Sequence, residues 1–443
     1  MSDISVKNKK LTLQTYVDNL WRDMAELYFN AQYELESMEY LTDYAVDFFG
    51  QANARSISIN YPVNVFIDHV DKLMTTLADI IPAGASRRYW LEALDIKHLS
   101  ISHQNYLLLK NGAISPIGNV RVKEAIPEIQ SERYFPLNVV QNRQSDFLEY
   151  ANQTGAIVGG ATGAGGEAPK LLLKRQDKQV WIDNLQLGLD CDTAYLVKYP
   201  RGNYSELDCD ILRAEYHYYH ELRALGFSTI DTDLMKLEEG QRYPSLWLPR
   251  FDMKFKDGKW ERYAMESVYS MLQKYGGNLD HEQTIRNLLN VISASQFSND
   301  FDNRHFVIEW VKRDLLNIAF GNSDNHGRNT AFLRDDNRIW LSPIYDFAPM
   351  RADPEGIIRT TTWAKNGDNS QEFAGEYRFD KIADSLSDLI EPDILLRELR
   401  MLATQLVDLK SRLTKRGVPK SILDFPAIGF DYLPEKLQRW GLV

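Results

Sequence analysis

The chain has 443 residues, 44% hydrophobic and 26% charged, with a formal net charge of −11; this is longer than one hydrophobic core usually serves, and the composition argues against extended disorder. The acidic balance weighs against direct nucleic-acid binding, which needs a basic face to release counterions. No apolar run reaches membrane-spanning length, the first ten residues lack a secretory apolar core, and Cys191 and Cys209 fit a reducing compartment, so a cytoplasmic protein without membrane association is expected.

From the N-terminus, Leu11, Leu13, Thr15 and Val17 alternate up to an Asp18-Asn19 turn signal and Leu27-Tyr28-Phe29 follows, which favours strands; helical spacing of Leu13, Val17, Leu20 and Met24 competes. Ser56-Ile57-Ser58-Ile59 reads as another strand. Residues 63–81 carry helical spacing at Phe66, Val70, Leu73, Leu77 and Ile80, stopped by Pro82. Gly112, Pro116, Gly118 and Pro127 mark a linker or irregular connection. These features predict a mixed α+β cap over residues 1–125.

A strand-rich unit over 126–262 comes next. Residues 135–150 read as a helix, 194–199 and 246–249 as strands, and 207–225 as a helix closed by Gly226. Residues 159–166 hold five glycines in eight positions, so backbone amides at Gly163, Ala164, Gly165 and Gly166 are candidates to approach phosphate. No Gly-Lys-Ser/Thr follows, and Leu171-Leu172-Leu173 after Lys170 reads as a strand, which excludes a Walker loop and argues against a dinucleotide fingerprint. A flexible loop of small residues is the plain alternative. Lys198 sits inside an apolar strand, where an unpaired ammonium is costly, so it is expected to meet a phosphate or a carboxylate; Glu215 in the next helix is the natural partner, against a snorkelling lysine. His217 and His220 share a helical face near Cys209, but their spacing fits no common zinc set.

Helices dominate from about residue 265. Phe306, Val307, Trp310, Val311, Leu315, Ile318 and Ala319 give a buried helix over 301–320, and 330–333 with 339–341 give a hairpin around Asp335-Asp336-Asn337. Residues 382–390 and 394–413 look helical, with Pro392 marking the break. Between the buried helix and the hairpin lies Gly321-Asn322-Ser323-Asp324-Asn325-His326-Gly327-Arg328-Asn329, and Tyr345-Asp346-Phe347 follows the hairpin. Asp324, Asn329 five residues later and then Asp346 repeat the order of phosphoryl-transfer sites, in which one Asp orients the acceptor hydroxyl while an Asn and a second Asp hold magnesium. Magnesium prefers a few hard oxygen ligands plus water and phosphate, and a neutral Asn limits carboxylate crowding. His326 either braces Asp324, touches phosphate or only stabilises the loop. Any surface turn is rich in Asn, Asp and Gly, but a helix, loop and hairpin make a rigid mount that a random turn lacks.

Taken together, Asn322-x-Asp324-x-His326-x-x-Asn329, Leu341-x-Pro343-x-Tyr345-Asp346, the glycine-rich loop ending in Lys170, the strand lysine Lys198 and Pro249-Arg250-Phe251-Asp252 resemble, in order, the motifs of HipA-like toxin serine/threonine kinases of bacterial toxin–antitoxin systems. The resemblance covers nearly all of the chain. It implies a bilobal kinase-like α+β fold, with a strand-rich N-lobe, a helical C-lobe over 263–443 and the N-terminal cap, using ATP and Mg2+ to phosphorylate a protein serine or threonine. Asp324 would then be catalytic with His326 beside it, and Asn329 and Asp346 the magnesium ligands. Lys170, Lys198, Glu215 and Arg328 would face the nucleotide, while Pro249, Arg250 and Phe251 would form the hinge by the adenine. A DNA-binding antitoxin partner is implied too. The family's flap often carries an autophosphorylated Ser seven residues before its lysine; here that position is Gly163, and Thr162 beside it is the expected substitute. Other readings are a small-molecule or lipid-type kinase and a catalytically silent nucleotide-binding regulator; a metal-dependent phosphohydrolase lacks a second ligand cluster.

Overall fold

The computed structural model describes residues 9–114, 116–126, 133–154, 169–182, 193–201, 204–256, 258–364 and 370–443. The glycine-dense stretch with Thr162, Gly163, Ala164, Gly165 and Gly166 lies outside the described residues, as does Cys191.

Period-two alternation wins at the N-terminus. Leu11, Leu13, Met24 and Leu27 all bury on one side of an antiparallel hairpin, β1 (Lys9–Val17) and β2 (Leu20–Phe29), which turns at Asp18 and Asn19 with φ of 53° and 64°. β3 (Leu35–Tyr40), β4 (Ile67–His69) and β5 (Val120–Val122) complete a sheet in the order β4-β3-β2-β1-β5. Helices α1 (Thr42–Phe48), α2 (Leu77–Ile80), α3 (Gly84–Ala93) and α4 (Ile101–Gly112) belong to the same region.

Two expectations are corrected here. Residues 56–59 form no strand beyond a bridge from Ser58 to Tyr61, because their polar groups are engaged by the helical lobe. Residues 63–81 are not one helix: the Asn64 side chain accepts from the Phe66 N–H at 2.7 Å, an Asx turn that feeds β4, and only Leu77–Ile80 coils. Of the two readings of the connection after α4, the irregular connection holds: its described residues up to 119 form no helix or strand, β5 then pairs with β1, and Gly118, at φ +94°, lies against the Met265 backbone.

Buried polar contacts lock the cap onto the rest of the chain. Arg334, 1% exposed, donates through Nη1 to Ala52 O at 2.6 Å and to Ser56 Oγ at 3.0 Å, while its Nη2 lies 3.2 Å from Glu266. Glu266 in turn accepts from Ser58 Oγ at 2.5 Å and Ile59 N–H at 3.0 Å. Asp79 accepts from the Ser267 N–H at 2.9 Å and hydroxyl at 2.8 Å, and burial pushes its pKa up to about 6 despite those bonds. A carboxyl whose folded pKa is raised loses stability as pH climbs from its unfolded value, about 3.9, toward the folded one. Asp79→Asn is therefore expected to remove a stability decline of roughly 2–3 kcal/mol between about pH 4 and pH 6, measured by urea unfolding across that range.

The second sheet runs β10-β11-β9-β7-β8-β6, from β6 (Phe135–Pro136), β7 (Lys170–Gln176), β8 (Gln179–Trp181), β9 (Thr193–Lys198), β10 (Lys236–Glu239) and β11 (Pro244–Pro249). The expected helix over 135–150 is instead β6 followed by α5 (Leu137–Gln141) and α6 (Ser145–Gln153), split where Arg143 takes φ +48°. The long helix α7 (Glu206–Ala224) starts at a Ser205/Asp208 capping box, and the turn just past it places Gly226 at φ +86°. Its buried side is tied to the helical lobe: Tyr218 donates to Phe320 O at 3.2 Å, fully buried Glu221 pairs with Arg412 at 2.6 Å and also with Arg416, and Asp210 accepts from Ser421. A ribbon of β12 (Met253–Lys256) and β13 (Lys259–Arg262) leads out of this unit.

In the helical lobe, β14 (Ala264–Ser267) and α8 (Val268–Met271) precede β15 (Leu279–Asp280), α9 (His281–Ser293) and α10 (Asn303–Phe320). The hairpin β16 (Ala331–Arg334) and β17 (Ile339–Leu341) follows, with Asp335 accepting from the Asn337 and Arg338 N–H groups in its turn and β14 pairing on its edge. β18 (Thr361–Thr362) pairs in parallel with β15. The chain ends in α11 (Phe379–Ser385), α12 (Pro392–Leu406), α13 (Leu409–Arg416), α14 (Lys420–Leu423) and α15 (Leu433–Arg439). Pro392 begins α12, where a missing N–H costs nothing, and residues 394–413 break at Val407-Asp408 rather than forming one helix.

Candidate active site

The mount expected around Asp324 is present. α10 starts with Asp302 accepting from the His305 N–H and stops at Gly321, whose φ of +70° turns the chain back. Asn322 then ties the loop to the helix, its N–H donating to Asn317 O and its side-chain Nδ2 to Asn317 Oδ1, each at 2.9 Å, while its Oδ1 accepts from the Asp324 N–H. Asn329 Nδ2 donates to Asp324 O at 2.6 Å, so catalytic-loop spacing is fixed by a bond between its two ends. Gly327 is required because a Cβ there would come within 2.7 Å of the Tyr269 ring, which stacks on His326. His326 Nδ1 accepts from the Arg328 N–H, which leaves the ring proton on Nε2, 3.4 Å from Asp324 Oδ1. His326 thus lies beside the Asp324 carboxylate, where the bracing role would place it.

Register explains the lysines. Lys170 on β7 and Lys198 on β9 are direct cross-strand partners, so both ammonium groups emerge side by side. Lys198 Nζ donates to Glu215 Oε1 at 2.6 Å and forms a close ion pair with Asp346, while Lys170 Nζ lies 3.1 Å from the other Asp346 oxygen. Glu215 also accepts from the Tyr219 hydroxyl at 2.7 Å, and Tyr219 accepts from the Phe347 N–H. Sequence reasoning missed Tyr219; its position one helical turn beyond Glu215 was the available signal. Asp346 itself takes φ +52°, an uncommon backbone state for a non-glycine residue that clusters at functional sites.

The electrostatics divide the two carboxylates. Burial favours the neutral form of Asp346, but Lys170 and Lys198 outweigh it and hold the carboxyl well below its usual range. Burial likewise opposes charge on Lys198, yet Asp346 and Glu215 raise it above the ordinary lysine value; Lys170, with burial dominant, is lowered. Asp324 moves the opposite way from Asp346: burial, with Asp346 adding repulsion, pushes its pKa up against the opposing effect of His326.

A cleft opens from Lys198 and Asp346 between Leu196, Leu248, Phe251 and Tyr345, apolar walls that suit a flat base. Pro249 and Phe251 line it as expected. Arg250 lines it too, with its guanidinium paired to Asp252, whose Oδ2 accepts from the Gly118 N–H at 2.7 Å. Burial opposes charge on Asp252, but Arg250 dominates and lowers its pKa. That contact brings Ile117 of the cap into the wall, a residue hidden from sequence reasoning inside a presumed linker. A second cleft lies on the other side of the same ions, bounded by Lys170, Arg201, Glu215, Asp324 and Met350. Arg328 lines neither cleft: it donates to Tyr275 O of the helical lobe at 3.2 Å and its Nε lies 3.8 Å from Asp79 of the cap.

The donors present fit magnesium. Asn329 Oδ1 is buried and has no hydrogen-bond partner among the described residues, as an oxygen reserved for a cation would be. Together with ionised Asp346 it offers hard oxygens and leaves most of the coordination sphere to water and phosphate. Among the described residues no group of three or more His, Cys, Asp or Glu gathers as a metal cluster.

Residues 162–409 match the family model described as the HipA-like C-terminal domain. The fold is similar to HipA in the solved complex of HipA, HipB and operator DNA from Shewanella oneidensis, with a TM-score of 0.66 over 97% of each chain at 15% identity. A lower similarity, TM-score 0.38 at 14% identity over 63% of this chain and 92% of the other, links it to the Helicobacter pylori proinflammatory kinase CtkA. No curated protein matches the sequence. The strand-rich and helical lobes, with the cap against both, make a bilobal kinase-like α+β fold.

Proposed function

The chain belongs to the HipA-like family, and from that premise and the site geometry we propose that it is an ATP- and magnesium-dependent kinase that phosphorylates a protein serine or threonine. The observation that carries this reading is Lys198 bonded at once to Glu215 and Asp346; a buried Asn329 oxygen without a hydrogen-bond partner among the described residues supports it. Such a lysine is arranged to meet phosphate, and the lysine–glutamate pair from strand and helix is the arrangement kinases use.

In this reading the apolar cleft takes the base, and Lys198 and Lys170 receive the phosphates. Asp346 and Asn329 would hold magnesium, which neutralises phosphate charge when bound. Asp324 aligns the acceptor hydroxyl and accepts its proton, a task for which a raised pKa makes it a better base. His326 keeps the carboxylate turned to that hydroxyl. We further propose a DNA-binding antitoxin as partner, since the Shewanella relative is in complex with HipB and operator DNA.

Incubating the protein with labelled ATP and magnesium in two fractions of a cell extract, macromolecules and small metabolites, tests the acceptor class. Label on serine or threonine of proteins is the expected result. Label confined to metabolites overturns the protein-kinase reading in favour of a small-molecule kinase.

A further inference from the structure

Asn325, between Asp324 and His326, carries no role in phosphoryl-transfer motifs, yet its side chain is among the most fully bonded in the loop. Its Oδ1 accepts from the Thr360 N–H at 3.0 Å and the Thr361 N–H at 3.2 Å, and its Nδ2 donates to Thr361 O at 2.6 Å. The Thr361 hydroxyl returns the contact, donating to Asn325 O at 2.6 Å. An Asn in an ordinary loop bonds its own backbone two residues on; this one reaches residues 35 and 36 positions away.

The strand it grips is itself anchored. Thr361 pairs with Leu279 through β18 and β15, and on either side Arg359 and the Trp363 indole both bond Asp314 of α10 at 2.9 Å. Arg359 and burial leave little freedom there: burial opposes charge on Asp314, but Arg359 and His281 hold its carboxyl well below the usual range. None of residues 357–362 lines either cleft around Lys198 and Asp346. Asp324 thus stands at a border, with the nucleotide ions on one side and, through its neighbour, the anchored strand on the other.

We propose that Asn325 is a positioning residue, a clip that fixes the Asp324 carboxylate relative to the strand at 359–363 and so to the acceptor hydroxyl, without serving the nucleotide. This rests on the kinase reading above. Loss of the clip frees the loop where it meets that strand, and a misplacement on the order of 1 Å costs about 100-fold in such a step.

The test compares the full-length protein with Asn325→Ala, Thr361→Val and the double variant. Transfer is measured from ATP to a serine/threonine peptide library, and ATP affinity with a fluorescent ATP analogue. Expected are a fall in kcat of about 100-fold for Asn325→Ala and a smaller fall for Thr361→Val. The double variant should be no slower than Asn325→Ala, because both remove one clip, and ATP affinity should stay within about twofold of wild type. Thr361→Val keeps the side-chain shape and serves if Asn325→Ala does not fold. Unchanged kcat in the foldable variants, weakened ATP binding in step with kcat, or multiplying effects each overturn the clip. If the wild-type protein transfers phosphate to no peptide or protein, the kinase reading itself falls and takes the clip with it; a wild type that transfers beside equally active variants sinks the clip only.

Discussion

Asp324→Asn is expected to lower phosphate transfer by about 10²- to 10⁴-fold while the fold and ATP binding persist. The substitution keeps the shape of the side chain and removes its charge and its ability to take a proton. Its structural neighbours tolerate this: the loop is held by the Asn329 bond to the Asp324 carbonyl and by the Asn322 contacts, none of which uses the Asp324 carboxylate. Losing charge there also relieves the repulsion from Asp346. Single-turnover transfer with saturating ATP reads the chemical step, and a thermal melt reads the fold. Full transfer by the variant would show that another group takes the proton.

Asp346→Asn is expected to abolish transfer and to destabilise the protein as well, by about 3 kcal/mol or more at neutral pH. Lys170 and Lys198 are 5% and 4% exposed, and Asp346 is the carboxylate both of them face. Removing it leaves two buried ammonium groups side by side with Glu215 bonded to Lys198 alone. The sign of the pH dependence follows from the depressed pKa of Asp346. Its stabilisation is complete above the unfolded carboxylate value of about 3.9 and is lost as pH falls below that toward the folded pKa. Urea unfolding of wild type and variant should therefore differ fully at about pH 7 and converge on acidification below about pH 4. A constant difference across that range would mean that the ionised carboxylate contributes nothing.

Local chemistry was legible wherever it was written in consecutive residues. The alternation of Leu11, Leu13 and Val17, the buried face of α10, the Asp335 turn and the Gly226 stop all depend on neighbours within a few positions, and each appears as expected. The pairing of Lys198 with Glu215 was readable because a buried ammonium demands a carboxylate and the following helix supplied one. Long-range contacts were not. Residues 56–59 and 63–81 have plausible local patterns, but Glu266, Arg334 and β3, two of them more than 200 residues away, decide what they become. Ile117 reached the cleft wall through Gly118 and Asp252, a contact across 134 residues. Arg328 bonds Tyr275 O of its own lobe and lies 3.8 Å from Asp79 of the cap, a placement no local motif records.

The ties on α7 reach beyond packing. The residues that grip Glu221 and Asp210 are Arg412, Arg416 and Ser421, past residue 409 where the family match stops. Kinases are commonly switched by swinging the helix that carries the lysine-bound glutamate; here that swing means stripping fully buried Glu221 of two arginines, a rupture on the order of 3–5 kcal/mol. The tail of the chain thus works as a keel, holding the helix that carries Glu215 against the helical lobe.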